Sequence, residues 1–128
     1  MIVLKYEDLL DQNFINALAK LSNWSGYKSM KTGKIIGHIV RDINKQLPLK
    51  LVDLQILVDK FGTRDKEKGG FTIHDENIPT WDKEIKMPCI MLDHRQLVLS
   101  EVEGAGLTTS ELAAMESIVN DQKLKIIK

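Results

Sequence analysis

Cysteine is almost absent from this chain of 128 residues, in which Cys89 is the only one. One cysteine cannot form a disulfide within the chain, which excludes the small secreted folds that depend on such bonds. Cys89 lies in a short apolar run over residues 87–92. Free cysteines in such runs are usually buried as small hydrophobic side chains, so we do not expect Cys89 to act as a nucleophile.

Long apolar runs are also absent from the sequence. No stretch approaches the roughly 20 apolar residues that a membrane-spanning helix needs. The first residues lack the basic segment of a signal peptide and turn acidic at Glu7 and Asp8. We therefore expect an intracellular protein that has no membrane partner.

Net charge is missing too, because 18 Lys and Arg residues balance 18 Asp and Glu residues. This excludes a generic polyanion-binding protein, which usually has a clear basic excess, but it leaves room for a local basic surface. Aromatic residues make up only 5% of the chain, so the core must be built mainly from Leu, Ile, Val and Met. The length predicts a single domain over residues 1–128.

The first half of the chain has the apolar spacing of amphipathic helices. One helix is predicted over residues 6–21, a second begins at Ser29, a suitable N-cap residue, and a third covers residues 49–61. Pro48 either ends the second helix or bends one long helix that continues to Phe61, and the sequence leaves both possibilities open. The predicted apolar faces contain Leu10, Phe14, Leu18 and Leu21, then Ile36, Ile39, Val40, Ile43 and Leu47, then Leu51, Leu54, Leu57, Val58 and Phe61.

The second half has shorter and more varied patterns. Residues 71–73 and 96–99 predict two short strands that can pair with each other. Ile78 and Pro79 predict a helix start, and Thr108 or Thr109 caps a last helix. Its apolar face contains Leu112, Met115, Ile118 and Val119. The expected fold class is therefore mainly α (α+β): a helical part over residues 1–62, with an N-terminal helical hairpin plus a third helix, and a mixed part over residues 63–128, with a small β-hairpin element and a C-terminal helix.

The charged segment after the third predicted helix has part of the spacing of a calcium-binding loop. Asp65 and Glu76 stand where positions 1 and 12 of an EF-hand loop would be, and Gly70 stands at position 6. Glu67 at position 3 and Gly69 at position 5 depart from the pattern, since glycine has no side-chain ligand. The alternative is a charged hairpin between a helix and a short strand, and this is the interpretation that we favour.

Two histidines lie beside acidic residues and raise the possibility of a metal or acid–base cluster, if their loops converge. The sequence has no HExxH motif, no paired Cys and His spacing, no nucleophile elbow and no phosphate-binding glycine loop. We therefore predict no catalytic residue and no cofactor. The weak metal-ligand candidates are Asp65, Glu67, His74, Glu76 and His94.

Surface contacts are the more promising source of function. Lys34, Arg41 and Lys45 make the second predicted helix locally basic, as a nucleic-acid-binding face would be. Trp24 and Tyr27 lie in the preceding turn, and exposed aromatic side chains are frequent anchors of protein interfaces. We expect Trp81, in contrast, to complete the core of the second half.

Several segments resemble small, mostly uncharacterised accessory proteins of tailed bacteriophages and prophages. The resemblance implies a mainly helical fold and a viral accessory context, and the chain departs from it at residues 87–89, where the family pattern has an uninterrupted helix. It implies no catalytic residues. The segments are LKYEDL at residues 4–9, FINALAKL at residues 14–21, KFG at residues 60–62, DKEKG at residues 65–69, and LTT at residues 107–109 before Leu112 and Met115.

These observations lead us to expect a non-enzymatic, phage-type accessory protein that acts through protein–protein interaction in virion assembly or host takeover. Its partner would be a phage or host protein, or a second copy of the chain that meets the apolar stripe of helix one if the core leaves that stripe free. Its location would be the cytoplasm of the host cell or the virion. A nucleic-acid-binding protein that uses the basic face of helix two is the alternative, and a metal-dependent enzyme is the third hypothesis.

Overall fold

A computed structural model describes residues 1–65, 67 and 69–120. Within them, helices predominate and the strands are short and lie in three separate pairs, which confirms the mainly α (α+β) class. None of these helices is both long enough and apolar enough to cross a membrane. The elements are β1 (Ile2–Lys5), α1 (Tyr6–Leu10), α2 (Gln12–Asn23), α3 (Met30–Phe61), β2 (Gly62–Arg64), β3 (Phe71–Ile73), α4 (Ile78–Ile85), β4 (Pro88–Leu92), β5 (Leu97–Val98), α5 (Thr109–Ala114) and β6 (Val119–Asn120), with 3₁₀ turns at Asp75–Asn77 and Leu99–Val102.

The predicted first helix is divided into α1 and α2. Asp11 separates them with an extended backbone conformation, and its side chain accepts a hydrogen bond from the Asn13 backbone nitrogen at 2.9 Å. Aspartate at this position satisfies a free N–H group at the start of α2. The apolar spacing continues across Asp11, so the spacing alone did not reveal the break. Phe14, Leu18 and Leu21 of the predicted stripe are buried in the core, whereas Leu10 is 37% exposed.

The helix α3 is the longest element and continues through Pro48. Of the two possibilities that the sequence left open, the single long helix is therefore correct. Ser29 caps it as predicted by accepting from the Thr32 backbone nitrogen at 3.2 Å. Pro48 is on the exposed side, so water can reach the Asn44 carbonyl that has lost its helical donor, while Ile43 and Leu54 are buried on either side of the interruption.

The strand β1 pairs antiparallel with β4, far along the chain, and neither strand was predicted from the sequence. Ile2 lies opposite Leu92 and Leu4 opposite Ile90. All four side chains are buried in the main core. Residues 88 and 89 therefore belong to a strand, and the uninterrupted helix of the family pattern is absent where the sequence departs from that pattern. Pro88 ends the helical region and begins a strand instead, in line with its tolerance at strand starts.

The predicted strand at Phe71–Ile73 is confirmed as β3, but its predicted partner is wrong. It pairs with β2, directly after α3, and not with residues 96–99. Val98 and Leu97 form the separate strand β5, which pairs in parallel with β6. The short connection between β2 and β3 favours the local pairing, because closing a short loop costs less entropy than closing a long one.

The last helix is shorter than its apolar pattern predicts. Thr108 caps α5 as expected, accepting from the Glu111 backbone nitrogen at 3.1 Å. Met115, Ile118 and Val119 are buried as predicted, but they follow the helix in a turn and in β6.

The core consists of one large cluster and one small cluster of buried side chains. The large cluster joins α1, α2, α3 from Ile36 to Leu54, β1, β4 and the C-terminal elements. The small cluster contains Val58, Phe61 and Trp81 and lies at the end of α3. Trp81 is therefore a core residue, as predicted.

Two carboxylates anchor the second half of the chain to the first. Buried Glu111 accepts from Lys20 Nζ at 2.6 Å and from the Thr108 backbone nitrogen at 2.9 Å, and these contacts lower its pKa. Glu101 receives a bidentate pair from Arg95 at 2.8 and 2.7 Å, and its Oε2 lies 3.3 Å from Thr32 Oγ1 on α3. The Arg95 pair is the main reason that the Glu101 pKa falls to about 2.

Replacing Pro48 with Ala should raise the free energy of unfolding by about 1–3 kcal/mol, because residue 48 then donates to the Asn44 carbonyl. Urea denaturation followed by circular dichroism measures the change. Gln55→Ala, at an exposed position of the same helix, is the control and should change little. An unchanged or lower stability for P48A would contradict the view that α3 tolerates Pro48 at a cost.

Glu101→Gln should lower stability at neutral pH, and the loss should disappear in acid. The folded-state pKa of about 2 lies below the ordinary value of 4.5. The ionised form therefore stabilises the fold above pH 4.5, and this contribution is lost as the pH falls through about 2. Denaturation curves at several pH values should converge for wild type and E101Q in that window. Glu103→Gln, which alters an exposed ion pair with Lys28, is the control. A stability difference between wild type and E101Q that does not change with pH would contradict the lowered pKa of Glu101.

Candidate functional site

A groove runs between the end of α2, the following turn and the first half of α3. Its volume is about 620 Å³. It contains four of the five predicted interaction residues, all except Lys34, which stands beside Gly33 in the chain. We call it the α3 groove, and its lining residues are Leu21, Ser22, Trp24, Tyr27, Gly33, Ile36, Gly37, Val40, Arg41, Asn44 and Lys45.

Two aromatic rings form one wall of the α3 groove. Trp24 and Tyr27 meet edge to face, with ring centroids 6.0 Å apart and planes at 88°. Trp24 is half-buried and packs against the main core, whereas Tyr27 is 39% exposed. The core therefore fixes the position of Trp24, and Trp24 in turn supports the more accessible tyrosine.

Two glycines of α3 give the groove its depth. The Tyr27 ring lies directly over Gly33, where a Cβ atom would overlap it. A Cβ at Gly37 would meet no atom within 4 Å, so that part of the floor is open space. Glycine is unfavourable in a helix interior by about 1 kcal/mol relative to alanine, and the ring over Gly33 shows why a side chain is excluded there.

Positive charge lies at the other end of the α3 groove. Arg41 Nε is 3.4 Å from Asp42 Oδ1 at the surface, an ion pair that leaves the rest of the guanidinium available. Lys34 and Lys45 make no ion pair with any residue that the structure describes. Among the residues that the structure describes, no carboxylate lines the groove. Its electrostatic character is therefore cationic.

The wider basic surface of helix two is smaller than the sequence indicates. Lys28 pairs with Glu103 at 3.1 Å. Lys50 lies on a different side of α3, close enough to Cys89 to influence its thiol. The free positive charge is therefore concentrated on the exposed face that carries Lys31, Lys34 and Lys45.

The histidine and acid cluster that the sequence left as a possibility does not assemble, because His74 and His94 contact different residues. His94 Nε2 lies 2.7 Å from Asp42 Oδ2, and its ring stacks on His38 with centroids 6.3 Å apart. This hydrogen bond is the main reason for the lowered pKa of Asp42. His74 instead contacts Thr63 Oγ1 at 3.0 Å in the β2–β3 region. Among residues 1–65, 67 and 69–120, no group of three or more His, Cys, Asp or Glu side chains is arranged to hold a metal ion.

The segment with partial EF-hand spacing folds as the charged hairpin. The Asp65 backbone nitrogen donates to Gly70 at 2.7 Å, and the Asp65 side chain accepts from the Glu67 backbone nitrogen at 3.0 Å. Gly69 has a φ of 77°, a conformation that favours glycine. Glu76 lies beyond β3 in a 3₁₀ turn. The twelve-residue loop that calcium requires is therefore interrupted by paired strands.

Cys89 lies half-buried in β4. Burial raises the pKa of its thiol to about 11, so the reactive thiolate is scarce at neutral pH. The buried-hydrophobe interpretation from the sequence agrees with this environment.

The α3 groove is thus the best candidate for a functional site. Buried Leu21, Ile36 and Val40 offer apolar contact, the two rings offer a rigid wall, and Arg41 and Lys45 offer charge. The arrangement suits a ligand segment that combines an apolar or aromatic side chain with a nearby anion. The sequence predicted the aromatic and cationic residues of this site, but it did not predict that Gly33 and Gly37 form the floor of a groove between them.

Gly37→Ala should raise the free energy of unfolding by about 1 kcal/mol, because alanine favours the helix and the added methyl group meets open space. Gly33→Ala should gain less, or lose stability, because the Tyr27 ring must move away. Urea denaturation compares the two, and Trp24 fluorescence should change in G33A only. Equal gains with unchanged fluorescence would contradict the contact between Tyr27 and Gly33.

Comparison with known proteins identifies no relative of this chain. No protein-family model matches it, no curated protein is significantly similar to it, and no solved structure matches it. The resemblance to phage accessory proteins therefore stays a prediction, and the groove geometry is the basis for the function that follows.

Proposed function

We propose that this protein is a non-enzymatic interaction protein that binds an acidic, partly apolar segment of a protein partner in the α3 groove. One observation carries the proposal: the Trp24–Tyr27 pair, the open floor at Gly37 and the cations Arg41 and Lys45 line one concavity. Within the described part of the chain, no acidic side chain shares it.

The aromatic wall supplies the anchoring contact. Tryptophan and tyrosine are enriched among the interface residues that contribute most to binding, because they offer large, rigid contact surfaces. Gly37 leaves room beside Tyr27 for one apolar side chain of the partner. The first contribution to affinity is therefore the burial of that side chain against Trp24, Tyr27 and Val40.

The cations select the charge of the partner. Lys34 and Lys45 have no ion pair among the described residues, so an approaching carboxylate does not have to displace an existing partner. Opposite charges at a rim increase the rate of association and exclude basic segments. An acidic segment is accordingly the occupant that the groove fits best.

The biological setting is a further part of the proposal. The residues that resemble phage accessory proteins support a phage or host protein as the partner, in virion assembly or host takeover. The location would then be the cytoplasm of the host cell or the virion.

Nucleic-acid binding is the second candidate, and the exposed Lys31, Lys34 and Lys45 favour it. A nucleic acid would contact these cations along the outer face of α3, and bases could stack on Tyr27. The paired Lys28 and the small extent of the basic surface favour the protein segment instead.

Selection of a displayed random peptide library against the purified protein tests the proposal. We expect enriched peptides that place Asp or Glu near Leu, Phe or Trp. Gly37→Leu should abolish their binding by filling the groove, and Arg41→Glu should weaken it by reversing the charge. Gly70→Leu is the matched control, because an added side chain there also meets open space but lies in the distant hairpin.

The same variants separate the two candidates. Failure to enrich peptides, or peptide binding that G37L leaves intact, would overturn the groove proposal. Salt-dependent binding to DNA or RNA oligonucleotides that Lys34→Glu abolishes and G37L does not change would favour the nucleic-acid alternative.

A further inference from the structure

The second half of α3 carries an apolar stripe on the side that faces away from the core. Leu49, Val52 and Ile56 are 71%, 51% and 59% exposed. Their spacing of three and four residues places them in one line along the helix. Leu54 and Val58, on the opposite side, are buried, so the stripe is surplus to what the core requires. We call these three residues the outer stripe.

The outer stripe replaces the self-association surface that the sequence suggested. That surface was the apolar stripe of helix one, but the core occupies it through Phe14, Leu18 and Leu21. A line of three large aliphatic side chains on a helix is instead the usual contact surface of a second helix.

The charges that flank the outer stripe indicate which helix fits. Lys45 precedes Val52 by seven residues and Asp59 follows it by seven, on the same face of α3. In an antiparallel pair of α3 helices that cross at Val52, each Lys45 lies opposite the Asp59 of the other copy. A parallel pair would place like charges together. Asp59 already accepts from Arg64 through Oδ2 at 2.7 Å, so a second cation would approach Oδ1.

We propose that two copies of this chain associate through the outer stripe, as an antiparallel, twofold-symmetric pair of α3 helices centred on Val52. A twofold interface is self-complementary. The outer stripe meets this requirement, because Val52 has one aliphatic residue on each side, with Lys45 beyond one of them and Asp59 beyond the other. The contact from Lys45 to Asp59 covers about 21 Å of helix.

The expected dimer is weak and reversible. Three aliphatic residues and their neighbours on each copy form a contact below the area of standard stable interfaces, which is about 800 Å² per partner. We therefore expect a monomer in dilute solution and a dimer at high concentration. This inference goes beyond the proposed function and does not depend on it; the two share Lys45, and the groove keeps Arg41 when Lys45 faces Asp59 of the other copy.

Sedimentation equilibrium of the full chain from about 1 µM to about 1 mM, a range that brackets weak association, tests the proposal. Val52→Glu should raise the dissociation constant at least tenfold by placing two carboxylates near the twofold axis. Met91→Glu is the matched control: it makes the same kind of change at a residue that is 64% exposed on β4, and it should leave the dimer intact. Circular dichroism verifies that each variant is folded.

A charge exchange tests the orientation. Lys45→Glu and Asp59→Lys should each weaken the dimer, and the double variant should restore it, because the two charges then face each other with their signs reversed. A monomer at every concentration overturns the proposal, and so does a dimer that V52E leaves intact or that M91E abolishes. A double variant no tighter than the single variants overturns the antiparallel arrangement.

Discussion

The uninterrupted course of α3 through Pro48 is the constraint on which the rest of the molecule depends. A helix of 32 residues is roughly 48 Å long, and both core clusters are built against one side of it. Buried side chains before and after the proline hold the helix in line, while the proline itself faces solvent. If α3 ended at Pro48, its two halves could pack independently and the exposed face would lose its continuity.

That exposed face is divided by chemistry. Its first half is basic and borders the groove, where the Tyr27 ring approaches α3 closely at Gly33. Its second half is aliphatic and uncovered within the part of the chain that the structure describes. The zero net charge of the chain is therefore a sum over unlike surfaces. We propose an anionic partner for the first surface and a second copy of the chain for the other.

Local signals allowed much of the helical structure to be predicted. Ser29 and Thr108 are side-chain caps whose chemistry acts within three residues, and Phe71–Ile73 has the alternation of a strand. Strand partners could not be predicted, because the pairing of Ile2 with Leu92 depends on contacts across almost the whole chain. The sequence predicted Trp24 and Arg41 as interaction residues. It could not predict the groove, because the shape of the groove depends on the position of the Tyr27 ring in the folded chain.

Backbone amide NMR of the labelled protein, during titration with a short peptide that carries Asp or Glu beside Leu or Phe, tests the central claim most directly. The account predicts that the peptide shifts the amides of Gly33 and Gly37 and the Trp24 indole, while residues 49–56 respond to protein concentration alone. Shifts confined to other surfaces, or no saturable shifts at all, would contradict the claim that the α3 groove is a binding site.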